Sequence, residues 1–262
     1  MADTATFKHI GVSREGVITI IEIRRGPNNF VDTDMVAEIA DVLEAMDRTH
    51  DCRAIVLCAE GKHFCAGADF SSRGPEGVAV GATRGRHLYK EAQRLWRTGK
   101  PIVAAVQGAA VGAGLGLAVM ADFRVTCPEA RFSANFTRLG YHPGFGLTAT
   151  LPRLVGMQTA TMLMYTGRRV PGDEAVTLGL ADYCVPLENV CPKAIEVANE
   201  IAASGPLAIV ATRETLRRGL ADAVSQATER EFEEQDWLRK SDDFREGIKA
   251  MGERRSPNFT GA

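Results

Sequence analysis

Residues 100–125 read Lys100-Pro101-Ile102-Val103-Ala104-Ala105-Val106-Gln107-Gly108-Ala109-Ala110-Val111-Gly112-Ala113-Gly114-Leu115-Gly116-Leu117-Ala118-Val119-Met120-Ala121-Asp122-Phe123-Arg124-Val125. The apolar run after Pro101 predicts a buried strand. Glycines at 108, 112, 114 and 116 let the backbone turn sharply and approach a ligand closely. Leu115 to Met120 is apolar enough for a buried helix opening at those glycines. A strand that feeds a Gly-rich turn into a helix leaves backbone N–H groups without intrahelical partners, at the positive end of the helix dipole. Such a place suits a phosphate, or an oxygen that becomes negative during a reaction.

Outward from this stretch, strands and helices alternate. Strands are predicted at Val17–Ile23, Ala54–Leu57, Asp122–Thr126 and Tyr183–Val185, with a short one within Ala130–Phe136. Asp32 caps a helix running to Arg48, and another covers Arg86–Arg97. The strand–helix unit recurs at 17–48, 54–97 and 102–120. Glu60 to Phe70 is a turn rich in small residues, and Ser71 to Gly85 reads as a mobile loop. Gly140, Pro143, Gly144 and Gly146 mark a loop that shapes a pocket. Helices follow at 148–154, 157–165 and 172–176. From Leu187 the pattern is helical only: 187–204, 206–218, 221–240 and 242–255. Together these predict an α/β core with a helical C-terminal appendage.

Of the 262 residues, 45% are hydrophobic and 24% charged, which fits a soluble globular chain with a large core. A net charge of −2 gives no reason to expect a nucleic acid partner. No apolar run is long enough to span a bilayer, and the N-terminus lacks the pattern of a secretory signal. The six cysteines are scattered without a C-x-x-C, as expected for reduced thiols in a cytoplasmic protein. The five histidines show no ligand spacing, so no metal site is expected.

Two turns carry the candidate chemistry: Ala66-Gly67-Ala68 and Gly112-Ala113-Gly114. Both follow buried strands, so both can meet at one end of one sheet. Two converging N–H groups there would hold a carbonyl oxygen as it gains charge. A rival reading takes the glycines of 112–116 as a dinucleotide fingerprint. The spacing is G-x-G-x-G, and the acidic residue that such a site needs at the end of a second strand is absent. A third reading gives the glycines only a packing role.

Phe64-Cys65-Ala66-Gly67-Ala68-Asp69, Lys100 to Gly108 and Ala121-Asp122-Phe123-Arg124 resemble signature blocks of the crotonase family of enoyl-CoA hydratases and isomerases. Leu139-Gly140-x-x-Pro143-Gly144, Leu154-Val155-Gly156, Tyr165-Thr166-Gly167-Arg168, Ala175 to Asp182 and Arg254 to Phe259 do so too, in family order. The resemblance implies an α/β spiral of ββα units over 1–200 holding an acyl-CoA site. It implies a helical region over 201–262 that builds a homotrimer or dimer of trimers and caps the coenzyme. The ligand would be an acyl-CoA thioester, with coenzyme A as part of the substrate and no permanently bound cofactor. The oxyanion N–H groups would be those of Ala68 and Ala113, with Ala66 and Ala68 in the coenzyme-binding turn. Arg254 would stand near the coenzyme A phosphates. Arg24 and Arg25 are candidates for the same contacts, or a solvated strand end.

The two glutamates that hydratases of the family use fall here on Gly116 and Phe136, and the carboxylate that some relatives use instead falls on Gly144. None can carry a proton, so an ordinary hydratase mechanism does not follow. Tyr141 and His142, in the pocket-shaping loop, are the replacement candidates, since an imidazole transfers protons near neutral pH. His87 and Glu91 are four apart and read as an exposed helical pair. Asp69 and Asp122 read as architectural, and His63 as part of the turn. Phe70, Phe136 and Phe145 line an acyl pocket or belong to the core. The function read from these residues is an enzyme on acyl-CoA thioesters with unconventional proton chemistry. The alternatives are a non-catalytic acyl-CoA binder and an NAD-dependent dehydrogenase.

Overall fold

The computed structural model describes residues 7–68 and 88–262. The expected loop from Ser71 to Gly85, with Asp69, Phe70 and His87, lies outside the described residues. The strands are β1 (Ile10–Glu15), β2 (Ile18–Ile23), β3 (Ala54–Ala59), β4 (Ile102–Val106), β5 (Ala109–Val111), β6 (Phe123–Thr126), β7 (Arg131–Ser133) and β8 (Tyr183–Cys184). One sheet has the order β1-β2-β3-β4-β6-β8, and β5 pairs with β7 in a second. β1 and β2 form an antiparallel hairpin with Ile10 facing Ile23, and the remaining pairs are parallel. β1 escapes the sequence reading because only Ile10 of it is buried, so it carries no apolar alternation. β4 is buried along its whole length, which is why it reads as an unbroken apolar run.

After β2, β3, β4 and β6 the chain turns and lays a short segment on a second layer. Val31 bridges Ala68, Cys65 bridges Ala110, β5 pairs with β7, and Phe132 bridges Val170. This is the expected spiral of strand, second strand and helix. It also corrects the reading of 107–112, where the glycine-rich turn contains the short strand β5 before the helix begins.

The helices are α1 (Thr33–Asp47), α2 (Leu88–Leu95), α3 (Ala113–Met120), α4 (Leu147–Val155), α5 (Met157–Thr166), α6 (Gly172–Thr177), α7 (Val190–Ala202), α8 (Pro206–Leu216), α9 (Leu220–Leu238) and α10 (Asp242–Glu253). Asp32 caps α1, its carboxylate accepting the Met35 N–H at 2.9 Å. Every residue of α3 is buried, as an apolar helix inside a core must be. α7 lays Val190, Ala194, Val197 and Ala198 against β3, β4 and β6. α7 continues past residue 200 to Ala202, and Leu220 and Val224 join the same buried core.

α8 is built the other way round. Its one buried side chain is Arg213, while Leu207 and Leu216 face outward. The Arg213 Nε and Arg217 Nη1 each lie 2.8 Å from the Asp122 carboxylate, which also accepts the Ile102 N–H at 2.8 Å. Asp122 therefore ties α8 to the start of β4 and β6, the architectural role expected of it. Among the described residues no single helix is long and apolar enough to cross a membrane.

Candidate active site

The turn at 60–68 is held from both sides. Cys65 donates its N–H to the Ala109 carbonyl at 2.8 Å and accepts the Val111 N–H at 3.1 Å. On the other flank, Ala66 donates to the Asn28 carbonyl at 3.0 Å, and Val31 donates to the Gly67 carbonyl at 2.8 Å. Gly67 reaches this position with φ +97°, a conformation that side chains resist. A planar trans peptide puts its carbonyl and its N–H on opposite sides. With the Gly67 carbonyl turned to Val31, the Ala68 N–H points away from Val31, toward the side of β5.

The same geometry recurs at the start of α3. Gly112 (φ +56°) donates its N–H to the Ser133 carbonyl at 2.9 Å, and its carbonyl accepts the Gly116 N–H at 3.1 Å. The Ala113 N–H, on the far side of that peptide, therefore points out of the helix N-terminus. The two turns touch: a Cβ on Gly67 would stand 2.9 Å from the Val111 carbonyl oxygen, and one on Gly114 would overlap the Cys65 carbonyl. Gly114 thus lets α3 press directly on the other turn, a use of the glycine in protein packing rather than against a pyrophosphate.

The space beside Gly116 and Gly144 is filled by residues from elsewhere in the chain. A Cβ on Gly116 would stand 2.5 Å from Phe145 Cδ1, and Phe145 is fully buried with φ +63°. A Cβ on Gly144 would overlap the Tyr89 hydroxyl and meet Gln235 Nε2 at 2.5 Å. Tyr89 donates to Gln235 Oε1 at 2.8 Å, and Gln235 Nε2 donates to the His142 carbonyl at 2.9 Å. Burial pushes the Tyr89 phenol well above its ordinary range, so it stays neutral. The Phe136 ring is near the first turn of α3, with its Cζ 3.6 Å from a Cβ placed on Gly112. No local pattern could have announced Tyr89 or Gln235, because each acts on a loop distant in sequence.

His142 Nδ1 lies 2.7 Å from the Pro143 carbonyl. A carbonyl only accepts, so Nδ1 carries the hydrogen and Nε2 is left to take a proton. His142 and Tyr141 line a cavity of about 540 Å³ with Met164, Tyr165, Trp237 and Leu238. Residues 66–68 and 112–116 are not among those lining it, so the structure does not bring His142 and the two turns into one described cavity. The Tyr141 ring packs on Phe244, centroids 4.7 Å apart.

Other candidates take structural parts. His63 Nδ1 accepts the Ala109 N–H at 3.2 Å, and burial lowers its pKa, so a neutral ring props the turn. Glu91 is 1% exposed and paired with Arg94, which overturns its reading as an exposed helical residue. The Arg25 guanidinium binds Asp32 at 2.6 Å and the Phe30 carbonyl, so it braces the loop before α1. Arg24 is exposed beside Glu22, and Arg254 is exposed at the end of α10. Glu231 was not foreseen: it is fully buried and accepts hydrogen bonds from the Gly146 N–H, the Thr148 N–H and the Thr148 hydroxyl at 2.7, 3.0 and 2.7 Å. Burial pushes its carboxyl up to about 7, against those hydrogen bonds, which favour the ionised form. Among the described residues no group of three or more His, Cys, Asp or Glu could hold a metal ion.

The family model described as enoyl-CoA hydratase/isomerase matches residues 13–262. The chain belongs to the enoyl-CoA hydratase/isomerase family. It is similar to a short-chain-enoyl-CoA hydratase of Clostridium acetobutylicum, 31% identical over 246 residues, with 93% of this chain and 94% of the relative covered. It is similar also to a 1,2-epoxyphenylacetyl-CoA isomerase of Escherichia coli, 30% identical over 251 residues, covering 94% and 96%. Among solved structures, an enoyl-CoA hydratase/isomerase from Pseudoalteromonas atlantica superposes with a TM-score of 0.86 at 27% identity, covering 97% of this chain and 100% of that one. A hydratase/isomerase-like enzyme is the coarse assignment these relatives support.

Proposed function

We propose that this enoyl-CoA hydratase/isomerase family member acts on acyl-CoA thioesters, with the N–H groups of Ala68 and Ala113 holding the thioester oxygen as it gains charge. One observation carries the reading: the carbonyls of Gly67 and Gly112 are both engaged elsewhere, which turns the following N–H groups outward. Fixed donors of this kind need no reorganisation during the reaction, and each is typically worth ~3 kcal/mol of transition-state stabilisation. The names of both curated relatives cited contain a coenzyme A thioester.

The proton chemistry is unconventional. Phe145 and Phe136 make the ground beside the thioester apolar, which suits a bulky or aromatic acyl group. His142, with Tyr141 beside it, is the proton-carrier candidate of this reading, and it lines a cavity that residues 66–68 and 112–116 do not line. Arg254 is an exposed cation for the coenzyme A phosphates; Arg24 is exposed but paired with Glu22, and Arg25 is half-buried and paired with Asp32, so either would have to exchange its carboxylate for a phosphate. The outward Leu207 and Leu216 of α8 support assembly of the helical region 201–262 into a trimer or dimer of trimers.

Incubation of the purified protein with a panel of short, branched and aromatic acyl-CoAs, followed by mass spectrometry, tests the proposal. Turnover of at least one thioester is expected. Tight binding without turnover across the panel would assign a non-catalytic acyl-CoA binder, and absence of binding would remove the thioester altogether.

A further inference from the structure

Asn29 combines three features: it is fully buried, it is one of three non-glycine residues with positive φ among the described residues (φ +51°), and its side chain is fully engaged. Its Nδ2 donates to the Glu60 carbonyl at 2.9 Å and to the His63 carbonyl at 2.7 Å. Its Oδ1 accepts the Arg25 N–H at 2.9 Å, and its own N–H donates to the Arg25 carbonyl at 2.9 Å. Asparagine tolerates the left-handed backbone better than other side chains. That backbone reversal is what lets the Asn28 carbonyl meet Ala66 while the Val31 N–H meets Gly67.

We infer that Asn29 is the positioning residue that aims the Ala68 N–H. The side chain anchors the turn where it begins, at residues 60 and 63. The flanking backbone anchors it where it ends, at residues 66 and 67. The orientation of the Ala68 N–H follows from the Gly67 carbonyl, and that carbonyl follows from Val31, two residues past Asn29. The opposite flank is held separately, by Ala109 and Val111 against Cys65. Loss of the Asn29 side chain therefore loosens one edge of the turn and leaves the other paired. The inference rests on the thioester reading above.

Two variants separate aim from mere folding. Asn29→Gly keeps the left-handed backbone and removes every side-chain bond. Asn29→Asp keeps the acceptor for Arg25 but sets a carboxylate oxygen against the carbonyls of Glu60 and His63. The probe is bound cinnamoyl-CoA, whose conjugated thioester absorbs further to the red when its carbonyl is polarised by hydrogen bonds. In the wild type a red shift is expected. In Asn29→Gly it falls by half or more, and kcat on the best panel substrate drops about 100-fold with KM changed less than about threefold. Asn29→Asp falls further, and if it does not fold, Asn29→Gly decides alone. A red shift and kcat retained in Asn29→Gly would overturn the role of Asn29 while leaving the thioester site standing. Absence of any red shift in the wild type with cinnamoyl-CoA bound would overturn both.

Discussion

The Phe145 ring occupies the space that any side chain on residue 116 would need, with Cδ1 2.5 Å from an ideal Gly116 Cβ. A glycine at 116 and the placement of this ring are thus one structural fact. Gly116→Ala is expected to cost about 1–3 kcal/mol, the range for overpacking a core. Combined with Phe145→Leu, the cost should be less than the sum of the two, because the substitutions share one space. Denaturant unfolding of the single and double variants reads this directly, and additivity would place the ring elsewhere. Gly116→Glu should gain no hydration of a short enoyl-CoA.

Asp122 holds two arginines and a strand N–H with one half-buried carboxylate. Asp122→Ala leaves Arg213 buried without its charge partner, a loss of about 3–5 kcal/mol. A fall of the unfolding midpoint by only a degree or two would show that α8 is held by something else.

Glu231 ties α9 to the start of α4. Its folded pKa, about 7, lies above the ordinary 4.5, so between these values the folded chain binds more protons than the unfolded one. Stability from this group is therefore full below pH 4.5 and declines as pH rises through 7. Glu231→Gln should flatten that part of the stability profile. A wild-type profile already flat from pH 5 to 7 would mean that its three hydrogen bonds outweigh burial.

His142 is the acid–base candidate with a defined tautomer. If it moves the proton, His142→Ala lowers kcat by about 10²–10⁴-fold on the best thioester of the panel, with binding preserved. Unchanged kcat would leave His142 as a wall of the cavity it lines.

The sequence carried the parallel strands well, because strands buried on both faces, such as β4, leave unbroken apolar runs. It carried α1 through Asp32 and α3 through its apolar surface. It did not carry β1, an edge strand with one buried residue, nor β5, whose alanines look like part of a turn. The turns of the site were legible as glycines at 67 and 112. What packs against Gly116 and Gly144 was not, because Phe145, Tyr89 and Gln235 reach them from other parts of the chain. Asn29 carried a faint local signal, an asparagine in a turn, but its partners at 60 and 63 become neighbours only in the folded chain.

The central claim is that the N–H groups of Ala68 and Ala113 polarise one thioester carbonyl. Proline is tolerated at the first position of a helix, so Ala113→Pro removes one donor while α3 persists. The infrared stretch of a 13C-labelled thioester carbonyl in bound acyl-CoA tests the claim most directly. The account predicts a frequency lowered in the wild type relative to solution and returned part-way toward it in Ala113→Pro. A wild-type frequency equal to that in solution, or one unmoved by the substitution, would contradict it.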